Sequence, residues 1–263
     1  MTDAAFPATL SCMEMAINEL KEALQKAERV TVLTGAGVSA ESGIPTFRGA
    51  DGLWKNYQAT DLATPEAFAR DPELVWEFYN WRRDLIGQKA CNPAHTALAR
   101  LEGLIPHFTL ITQNVDGLHL LAGSRHILEL HGNIWRVQCT QCHAVTMDRS
   151  PHMGNLPRCR SCGGLLRPGV VWFGESLDPD ILNQAIAACR SCQVMMVIGT
   201  SSVVQPAASL AFTAKSGGAR VAEINLERTP SSDRMDVVLL GKAGEMVPRL
   251  AAGWGNSRDQ GAG

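Results

Sequence analysis

The sequence of 263 residues has no long apolar run and almost no net charge, and both absences exclude classes of function. No stretch approaches the ~18 consecutive apolar residues typical of a membrane-spanning helix. The formal net charge is −2, so the chain lacks the basic surface that nucleic-acid or membrane-surface binding usually requires. The first residues carry Glu14, Glu19 and Lys21 where an export signal would be apolar. We therefore expect no nucleic-acid partner and no membrane partner.

What the chain does contain is typical of a globular protein with ample core. Hydrophobic residues make up 45% of the sequence and charged residues 19%. This length suits one large domain with an insertion. The end of the chain, residues 253–263, is Gly-rich and polar without periodicity, and we expect it to be disordered.

Short β-like runs alternate with helical patterns along most of the chain. A helical pattern over residues 13–28 leads into a β-branched run at 30–34 and then a glycine turn. This alternation predicts an α/β fold with a parallel sheet covered by helices on both faces. Further strands are predicted at 108–112, 127–130, 194–198, 220–224 and 237–240, and helices at 93–101, 179–189 and 206–215.

Two segments interrupt the alternation and are interpreted as insertions. Residues 49–87 are mostly helical, and Asp71-Pro72-Glu73 marks the start of a helix there. Residues 136–168 contain four cysteines in two C-x2-C pairs that sixteen residues separate: Cys139, Cys142, Cys159 and Cys162.

The four cysteines predict a structural zinc site. Two tight thiolate pairs suit one tetrahedral Zn²⁺, and a full set of four leaves no position for a reactive water. The alternative is two disulfides, which would need an oxidising compartment and an export signal. Cys189 and Cys192 form a third C-x2-C without a matching pair, so buried or helix-end thiols are expected there. The cysteine usage favours a reducing, cytoplasmic location.

A glycine pattern, Gly35-Ala36-Gly37-Val38-Ser39-Ala40, directly follows the first strand. It satisfies G-x-G-x-x-[GA], which allows a backbone to approach a pyrophosphate, although a tight packing turn gives the same pattern. A dehydrogenase would carry an acidic ribose ligand about 20 residues further on, after its second strand. Here residues 41–49 form a loop instead, which disfavours an ordinary dehydrogenase.

Several segments in order resemble the sirtuin family of NAD-dependent protein deacylases. They include GAGVS at 35–39 through FRG at 47–49, TQNVDGLH at 112–119, HG at 131–132, the four cysteines, RPGVVWFGE at 167–175, GTS at 199–201 and NLE at 225–227. The resemblance covers about residues 20–250. It implies a Rossmann-like large domain (13–48, 88–135 and 169–252) and a small domain formed by the helical (49–87) and zinc (136–168) insertions. NAD⁺ and acyl-lysine would meet in the cleft between them.

The resemblance also implies roles for individual residues. His131 would take a proton from a ribose hydroxyl, which then attacks the alkylimidate carbon, and this suits a side chain that titrates near neutrality. Asn114 and Asp116 would hold ribose and nicotinamide, with a turn cap as the alternative for Asp116. Phe47 would shield the ribose and Arg48 would meet phosphate. Asn225 and Glu227 would contact the adenosine ribose, and Ala243 would lie by the adenine. The whole implied NAD⁺ site comprises Gly35, Ala36, Gly37, Ser39, Ala40, Ser42, Ile44, Pro45, Phe47, Arg48, Gln113, Asn114, Asp116, Gly199, Thr200, Ser201, Asn225, Leu226, Glu227 and Ala243.

The acyl-lysine side is implied by a second set of residues. Tyr79 and Arg82 lie three apart on one helix face, as in class III sirtuins, and a guanidinium and a phenol suit a succinyl or malonyl carboxylate. Ala63 would leave room for that chain. The alternative is an exposed amphipathic helix that only packs, with Trp76, Phe78 and Trp81 facing the core. Val171, Phe173, Gly174 and Glu175 belong to a segment that would pair as a strand with the substrate peptide.

We therefore expect a monomeric, NAD-dependent protein-lysine deacylase that removes succinyl and malonyl groups and, more weakly, acetyl groups. Its partners would be acyl-lysine proteins. Three alternatives stand beside it: a protein that is predominantly a deacetylase, an ADP-ribosyltransferase on the same fold, and a non-enzymatic NAD sensor or zinc-ribbon adaptor. The Tyr79 and Arg82 pair argues against the transferase, since a transferase needs no carboxylate clamp. The joint presence of His131, Asn114 and Asp116 argues against the adaptor.

Overall fold

The computed structural model describes residues 7–46 and 53–254. The predicted site residues Phe47 and Arg48 lie outside this range, as do residues 255–263 of the predicted tail. Trp254 is described, and its indole Nε1 donates to the carbonyl of Leu250 at 2.9 Å. It packs against the core, so the ordered chain continues past the start predicted for the tail. Within the described residues, no helix is both long and apolar enough to cross a membrane.

The described residues form eleven strands, six of which build one parallel sheet. The strands are β1 Arg29–Thr34, β2 Leu53–Trp54, β3 Tyr57–Gln58, β4 His107–Thr112, β5 Ile127–Glu129, β6 Gly132–Cys139, β7 Val145–Met147, β8 Leu166–Val170, β9 Val194–Ile198, β10 Arg220–Asn225 and β11 Val237–Leu240. The order in the large sheet is β11-β10-β9-β1-β4-β5. All six strands of this sheet were predicted from the sequence, with ends within one residue of those observed.

Ten α-helices are described. They are α1 Pro7–Lys26, α2 Ala36–Ala40, α3 Ala59–Leu62, α4 Pro65–Arg70, α5 Pro72–Gly87, α6 Pro93–Leu104, α7 Leu118–Leu121, α8 Pro179–Ser191, α9 Leu210–Ser216 and α10 Ala243–Ala251. One predicted helix, 206–215, is a 3-10 turn at Ala207–Ser209 followed by α9. Short 3-10 turns are frequent at helix N-termini, and a sequence pattern does not distinguish them from the helix itself.

Helices cover both faces of the large sheet, which confirms the predicted α/β fold. Successive side chains of a strand point to opposite faces. In β1, Val30 and Val32 pack with α1, α6 and α10, whereas Leu33 packs with α8 and α9. Cys189 and Cys192 are buried on this second face, at the end of α8, where free thiols were expected.

The order of strands reverses between β1 and β9. From β1 the chain continues to β4 and β5 on one side, then returns to β9, β10 and β11 on the other side. Ligands of open α/β sheets bind at such a reversal, beyond the carboxyl ends of the strands. Gly35 follows β1 and Gly199 follows β9, so the predicted NAD⁺ segments meet at this point.

The two insertions share one hydrophobic core. Strands β7, β6 and β8 form an antiparallel sheet, and α5 packs against it. Arg83 of α5 is buried and donates to the carbonyls of Ile134 (2.6 Å), Ser150 (3.0 Å) and Asp148. The helix begins as predicted, because Asp71 caps it by accepting from the Leu74 N–H at 3.0 Å. The shared core includes Trp54, Leu62, Trp76, Phe78, Ile134, Trp135, Val137 and Leu166.

Candidate active site

The glycine turn packs the end of β1 against the end of β9. The N–H of Gly35 donates to Ile198 O at 3.0 Å, and the N–H of Gly37 donates to Gly199 O at 2.8 Å. A Cβ added at Gly35 would lie 2.8 Å from Gly199 O, so only glycine fits. These two amides are therefore used inside the protein. For these two residues the glycine pattern is a packing turn. Any contact with a phosphate must come from other groups of the loop.

Three buried polar side chains form a network beside this turn. Ser39 Oγ donates to Asp116 Oδ2 at 2.7 Å, and Asn114 Nδ2 donates to Ser39 Oγ at 3.1 Å and to Gly35 O at 3.0 Å. Asp116 Oδ1 accepts from the Leu118 N–H at 2.8 Å, so Asp116 is also a turn cap, as its alternative role required. Burial raises the pKa of Asp116, and the Leu118 and Ser39 hydrogen bonds oppose that rise.

His131 lies between β5 and β6 and contacts Gln113, the residue that precedes Asn114 of this network. Its Nδ1 is 3.0 Å from Gln113 O, a carbonyl that can only accept, so Nδ1 carries the proton in the neutral ring. Nε2 then keeps a lone pair and can accept a proton. Burial lowers the pKa of His131, and the Gln113 hydrogen bond opposes this. The imidazole is thus neutral near pH 7, as a general base must be.

The loops after β9 and β10 complete the predicted NAD⁺ edge. Asn225 Nδ2 donates to Thr200 O at 2.8 Å, and Gln113 Nε2 donates to Thr200 Oγ1 at 3.0 Å. Ser201 is partly exposed, and Leu226 and Glu227 are exposed at the rim. Thr200 therefore connects the Asn225 loop with the strand that positions His131.

Glu41, which sequence reasoning missed, connects the loop after α2 with α10. Its Oε1 accepts from the Gly244 N–H at 2.7 Å, next to the predicted adenine-site residue Ala243. A carboxylate at a helix N-terminus is favourable because unpaired N–H groups lie there. Nothing in the sequence pairs two residues that are this far apart, so only the fold reveals the contact.

A small cavity joins the predicted nicotinamide side to the predicted acyl side. Arg82 lines it together with Asn114 and Asp116, and the sequence analysis had not included two other lining residues, Ile86 and Val115. Ile86 could have been found, since it lies four residues after Arg82 on the same helix face. The lining residues are Ala36, Ser39, Ile44, Pro45, Arg82, Ile86, Asn114, Val115 and Asp116.

Tyr79 faces the interior and not the solvent. It is 1% exposed, and its hydroxyl accepts a hydrogen bond from Trp172 Nε1 at 2.9 Å. Trp81, which the amphipathic-helix alternative placed in the core, is 40% exposed. The Arg82 guanidinium carbon lies 5.7 Å from the Tyr79 ring centroid. Burial raises the pKa of Tyr79. Burial lowers the pKa of Arg82, and the nearby Tyr79 and Asp116 oppose that fall.

The predicted peptide-binding segment is a turn in this structure. Strand β8 ends at Val170, and the Glu175 N–H donates to Trp172 O at 3.0 Å. The Phe173 N–H donates to the carbonyl of Ala63, the predicted small residue of the acyl site, at 2.9 Å. A strand at an edge needs a partner, so pairing of Val171–Glu175 with a substrate peptide stays a prediction.

Two buried histidines adjoin the site, and the sequence analysis missed both. His95 Nε2 lies 3.4 Å from Ser39 Oγ, and His119 Nε2 lies 3.0 Å from Thr34 Oγ1. Their ring centroids are 4.7 Å apart. A sequence signal existed for His95: Asn92 caps α6, Pro93 follows it, and His95 occupies the third helical position of a capping box.

We predict that these two histidines make the protein sensitive to acid. Burial lowers the pKa from 6.5 to about 4 for His95 and to about 3 for His119, where the neighbouring His95 adds to the effect. The unfolded chain binds protons as the pH falls through 6.5, but the folded chain does not. The free energy of unfolding should therefore fall below that pH by up to about 1.4 kcal/mol per pH unit for each ring.

Urea unfolding at about pH 7 and about pH 5 measures this loss. His119→Asn removes one of the two rings, so its free energy of unfolding should fall by roughly half as much over the same interval. An unchanged pH dependence in the variant would show that other groups cause the acid sensitivity.

The four predicted metal ligands come together, and all four thiols are free. Their sulfur atoms lie within 4.8 Å of one another, with 3.4 Å between Cys139 and Cys162 and 3.7 Å between Cys142 and Cys159. Zn–S bonds of about 2.3 Å give a tetrahedral S–S edge of roughly 3.8 Å. The cluster is therefore consistent with a structural zinc ion and not with two disulfides.

We predict that Cys139→Ser or Cys159→Ser releases zinc and unfolds the small domain. Both residues belong to the core that the two insertions share, and the binding energy of a closed thiolate site is folding energy. Metal analysis should find about one zinc in the wild type. The melting temperature and the activity should fall together in the variants. Full activity in a zinc-free variant would contradict a structural role.

The fold and site together define a class of protein. A doubly wound sheet with a polar cleft at its strand reversal, next to a four-cysteine module, is typical of a nucleotide-dependent enzyme whose metal is structural. The Sir2 family model matches residues 35–206, about two thirds of the sequence. The chain belongs to the Sir2 family.

Curated relatives and solved structures agree with this assignment. The NAD-dependent protein deacylase of Aquifex aeolicus is 53% identical over 81% of this chain and 90% of its own length. The deacylase of Pyrococcus furiosus is 50% identical over 89% and 96%. A Sir2 homologue in complex with NAD has a TM-score of 0.85 and 49% identity, over 89% of this chain and 92% of its own. A Sir2 complex with a peptide and NAD⁺ has a TM-score of 0.80 and 33% identity, over 89% and 96%.

Proposed function

We propose that this protein is an NAD-dependent protein-lysine deacylase that prefers succinyl- and malonyl-lysine to acetyl-lysine. The deacylase class follows from the Sir2 family and from relatives named NAD-dependent protein deacylase. The acidic-acyl preference rests on one observation. Arg82 lines the same cavity as Asn114 and Asp116, and the buried Tyr79 lies beside it.

NAD⁺ binds, in this proposal, across the carboxyl ends of β1 and β9. Support comes from the strand reversal at this edge and from the NAD complexes of similar structures. Gly35 and Gly37 bring the two strand ends together, whereas Thr200 and Asn225 form the adenosine side. Ser39 holds Asn114 and Asp116 in fixed orientations near the nicotinamide end.

The chemistry falls to the polar groups of this buried edge. Loss of nicotinamide leaves positive charge on the ribose, and Asp116 and Asn114 offer oxygen atoms in a cleft with little water. His131 then accepts a proton at Nε2 from a ribose hydroxyl. The Gln113 carbonyl fixes the ring so that this nitrogen is unprotonated. NAD⁺, acyl-lysine and one water would together give free lysine, nicotinamide and 2′-O-acyl-ADP-ribose.

The far end of the acyl chain meets Tyr79 and Arg82. A carboxylate is an acceptor only, and a guanidinium and a phenol are its natural donors. An acetyl group has no carboxylate and gains nothing from either donor. Desolvation strengthens the pairing, because opposite charges interact more strongly away from water. A partly buried guanidinium in the same cavity as Asn114 and Asp116 is therefore better explained by an acidic acyl group than by an acetyl group.

Mass spectrometry of the NAD⁺ products tests the proposal. One peptide sequence is supplied with acetyl-, malonyl- or succinyl-lysine, and kcat/KM is measured for each. We expect 2′-O-acyl-ADP-ribose from all three, with larger kcat/KM for the two acidic groups. A larger value for acetyl-lysine would overturn the acyl preference and leave a deacetylase. ADP-ribose on the protein substrate would instead indicate a transferase.

A further inference from the structure

Trp172 belongs to the predicted peptide segment, and its side chain reaches the predicted acyl site. Its side chain is 3% exposed, and its Nε1 donates to the Tyr79 hydroxyl at 2.9 Å. Its backbone N–H donates to Glu175 Oε2 at 2.8 Å. One residue therefore contacts both the turn that would hold the peptide and the phenol that would hold the acyl carboxylate.

The indole ring of Trp172 is held from two sides. The guanidinium carbon of Arg167 lies 3.6 Å from the ring centroid, and the Phe68 ring centroid lies at 5.1 Å. Arg167 is itself fixed by two bonds to the carboxylate of Glu175, at 2.6 and 2.8 Å. A stacked guanidinium with a bidentate partner has little freedom, so the direction of the indole N–H is also fixed.

This contact decides what the phenol of Tyr79 can do. An indole N–H can only donate, so the Tyr79 oxygen is the acceptor and its own proton remains available. Burial raises the pKa of Tyr79, which keeps that proton on the oxygen at neutral pH. Arg82 lies beside the same phenol, with its guanidinium carbon 5.7 Å from the Tyr79 ring centroid. With the indole N–H accepted, the phenol keeps its own proton to donate to another partner.

We infer that Trp172 is a positioning residue for acyl selection. By occupying an acceptor site of Tyr79, it makes the phenol a donor directed at the carboxylate of an acidic acyl group. The inference rests on the proposed succinyl and malonyl preference and adds a residue that does not touch the acyl chain itself. It also connects acyl recognition with the peptide turn, because the backbone of Trp172 belongs to that turn.

The test is Trp172→Phe, which keeps an aromatic ring and removes the N–H. The measured quantity is the ratio of kcat/KM for succinyl-lysine to kcat/KM for acetyl-lysine on one peptide. Loss of one neutral hydrogen bond should lower this ratio by about three- to tenfold. In a Tyr79→Phe background the same change should leave the ratio as it is, because the phenol that Trp172 orients is gone.

Trp76→Phe is the matched control. Its buried indole Nε1 donates to the Leu166 carbonyl at 2.8 Å, in the same core, and not to the Tyr79 hydroxyl. It should lower stability and affect both acyl groups equally. If Trp172→Phe does not fold, β-(3-benzothienyl)alanine at position 172 serves instead, since sulfur replaces the N–H in a ring of nearly the same shape.

The outcomes separate this inference from the proposed function. An equal loss for both acyl groups in the Trp172 variant, or a further fall of the ratio in the Tyr79→Phe background, overturns the inference. Arg82→Met is measured alongside as a test of the acyl preference itself. If Arg82→Met lowers the ratio and Trp172→Phe does not, the inference fails and the proposed function stands. If neither changes the ratio, both fail.

Discussion

His131→Ala should lower the rate of deacylation by about 10²- to 10⁴-fold, the usual contribution of a general base. NAD⁺ binding and the fold should be nearly unchanged. The hydrogen bond described for the imidazole is to the Gln113 carbonyl, and the ring lies at the cleft. The base acts after the substrates have assembled, so the loss should appear in kcat. Calorimetric titration with NAD⁺ measures binding separately from turnover.

The pH profile provides a second measurement on His131. Burial lowers the pKa of this imidazole from 6.5, so the neutral, proton-accepting form persists below that pH. The acid limb of kcat/KM should therefore lie below 6.5 in the wild type. Turnover of an acyl peptide by the alanine variant at the wild-type rate would remove His131 from the mechanism.

Arg82→Met should reduce desuccinylation much more than deacetylation. A buried carboxylate that loses its charged partner costs about 2–5 kcal/mol, which is roughly 30- to several thousand-fold in kcat/KM. Acetyl-lysine has no carboxylate to leave unpaired. Tyr79→Phe should act in the same direction but more weakly, because it removes a neutral donor and leaves the charge. Comparing both acyl groups on one peptide cancels the peptide and NAD⁺ contributions.

Arg83→Met is the control for this change, since it removes a neighbouring guanidinium of the same helix. Arg83 donates to the carbonyls of Ser150 and Asp148 in the zinc insertion, so its loss should destabilise the small domain and lower both activities in proportion. If Arg82→Met behaves like Arg83→Met, then Arg82 is structural. The acidic-acyl preference would then be wrong, although the Sir2 assignment would be unaffected.

The sequence was a good guide to elements with a regular pattern. β-Branched runs bounded by turn residues located all six strands of the large sheet, and Asp71 with Pro72 located the start of α5. Such features depend on neighbours along the chain. The β2–β3 hairpin was missed, because a strand of two residues has no period to detect. Residues 171–175 form a turn here, and their pairing as a strand with a substrate peptide stays a prediction, because an edge strand forms only with its partner.

The sequence by itself determined the Sir2 family, the α/β class and the four-cysteine cluster, since each is carried by local spacing or by motifs in a fixed order. Only the tertiary structure decided how the functional groups are used. In the structure the amides of Gly35 and Gly37 bond to backbone carbonyls at the end of β9. His95 lies 3.4 Å from Ser39 Oγ, and the indole of Trp172 donates to the Tyr79 hydroxyl. These contacts link residues that are distant in the chain, and no local pattern encodes them. Their geometry is set by which faces of the sheet and helices are buried together.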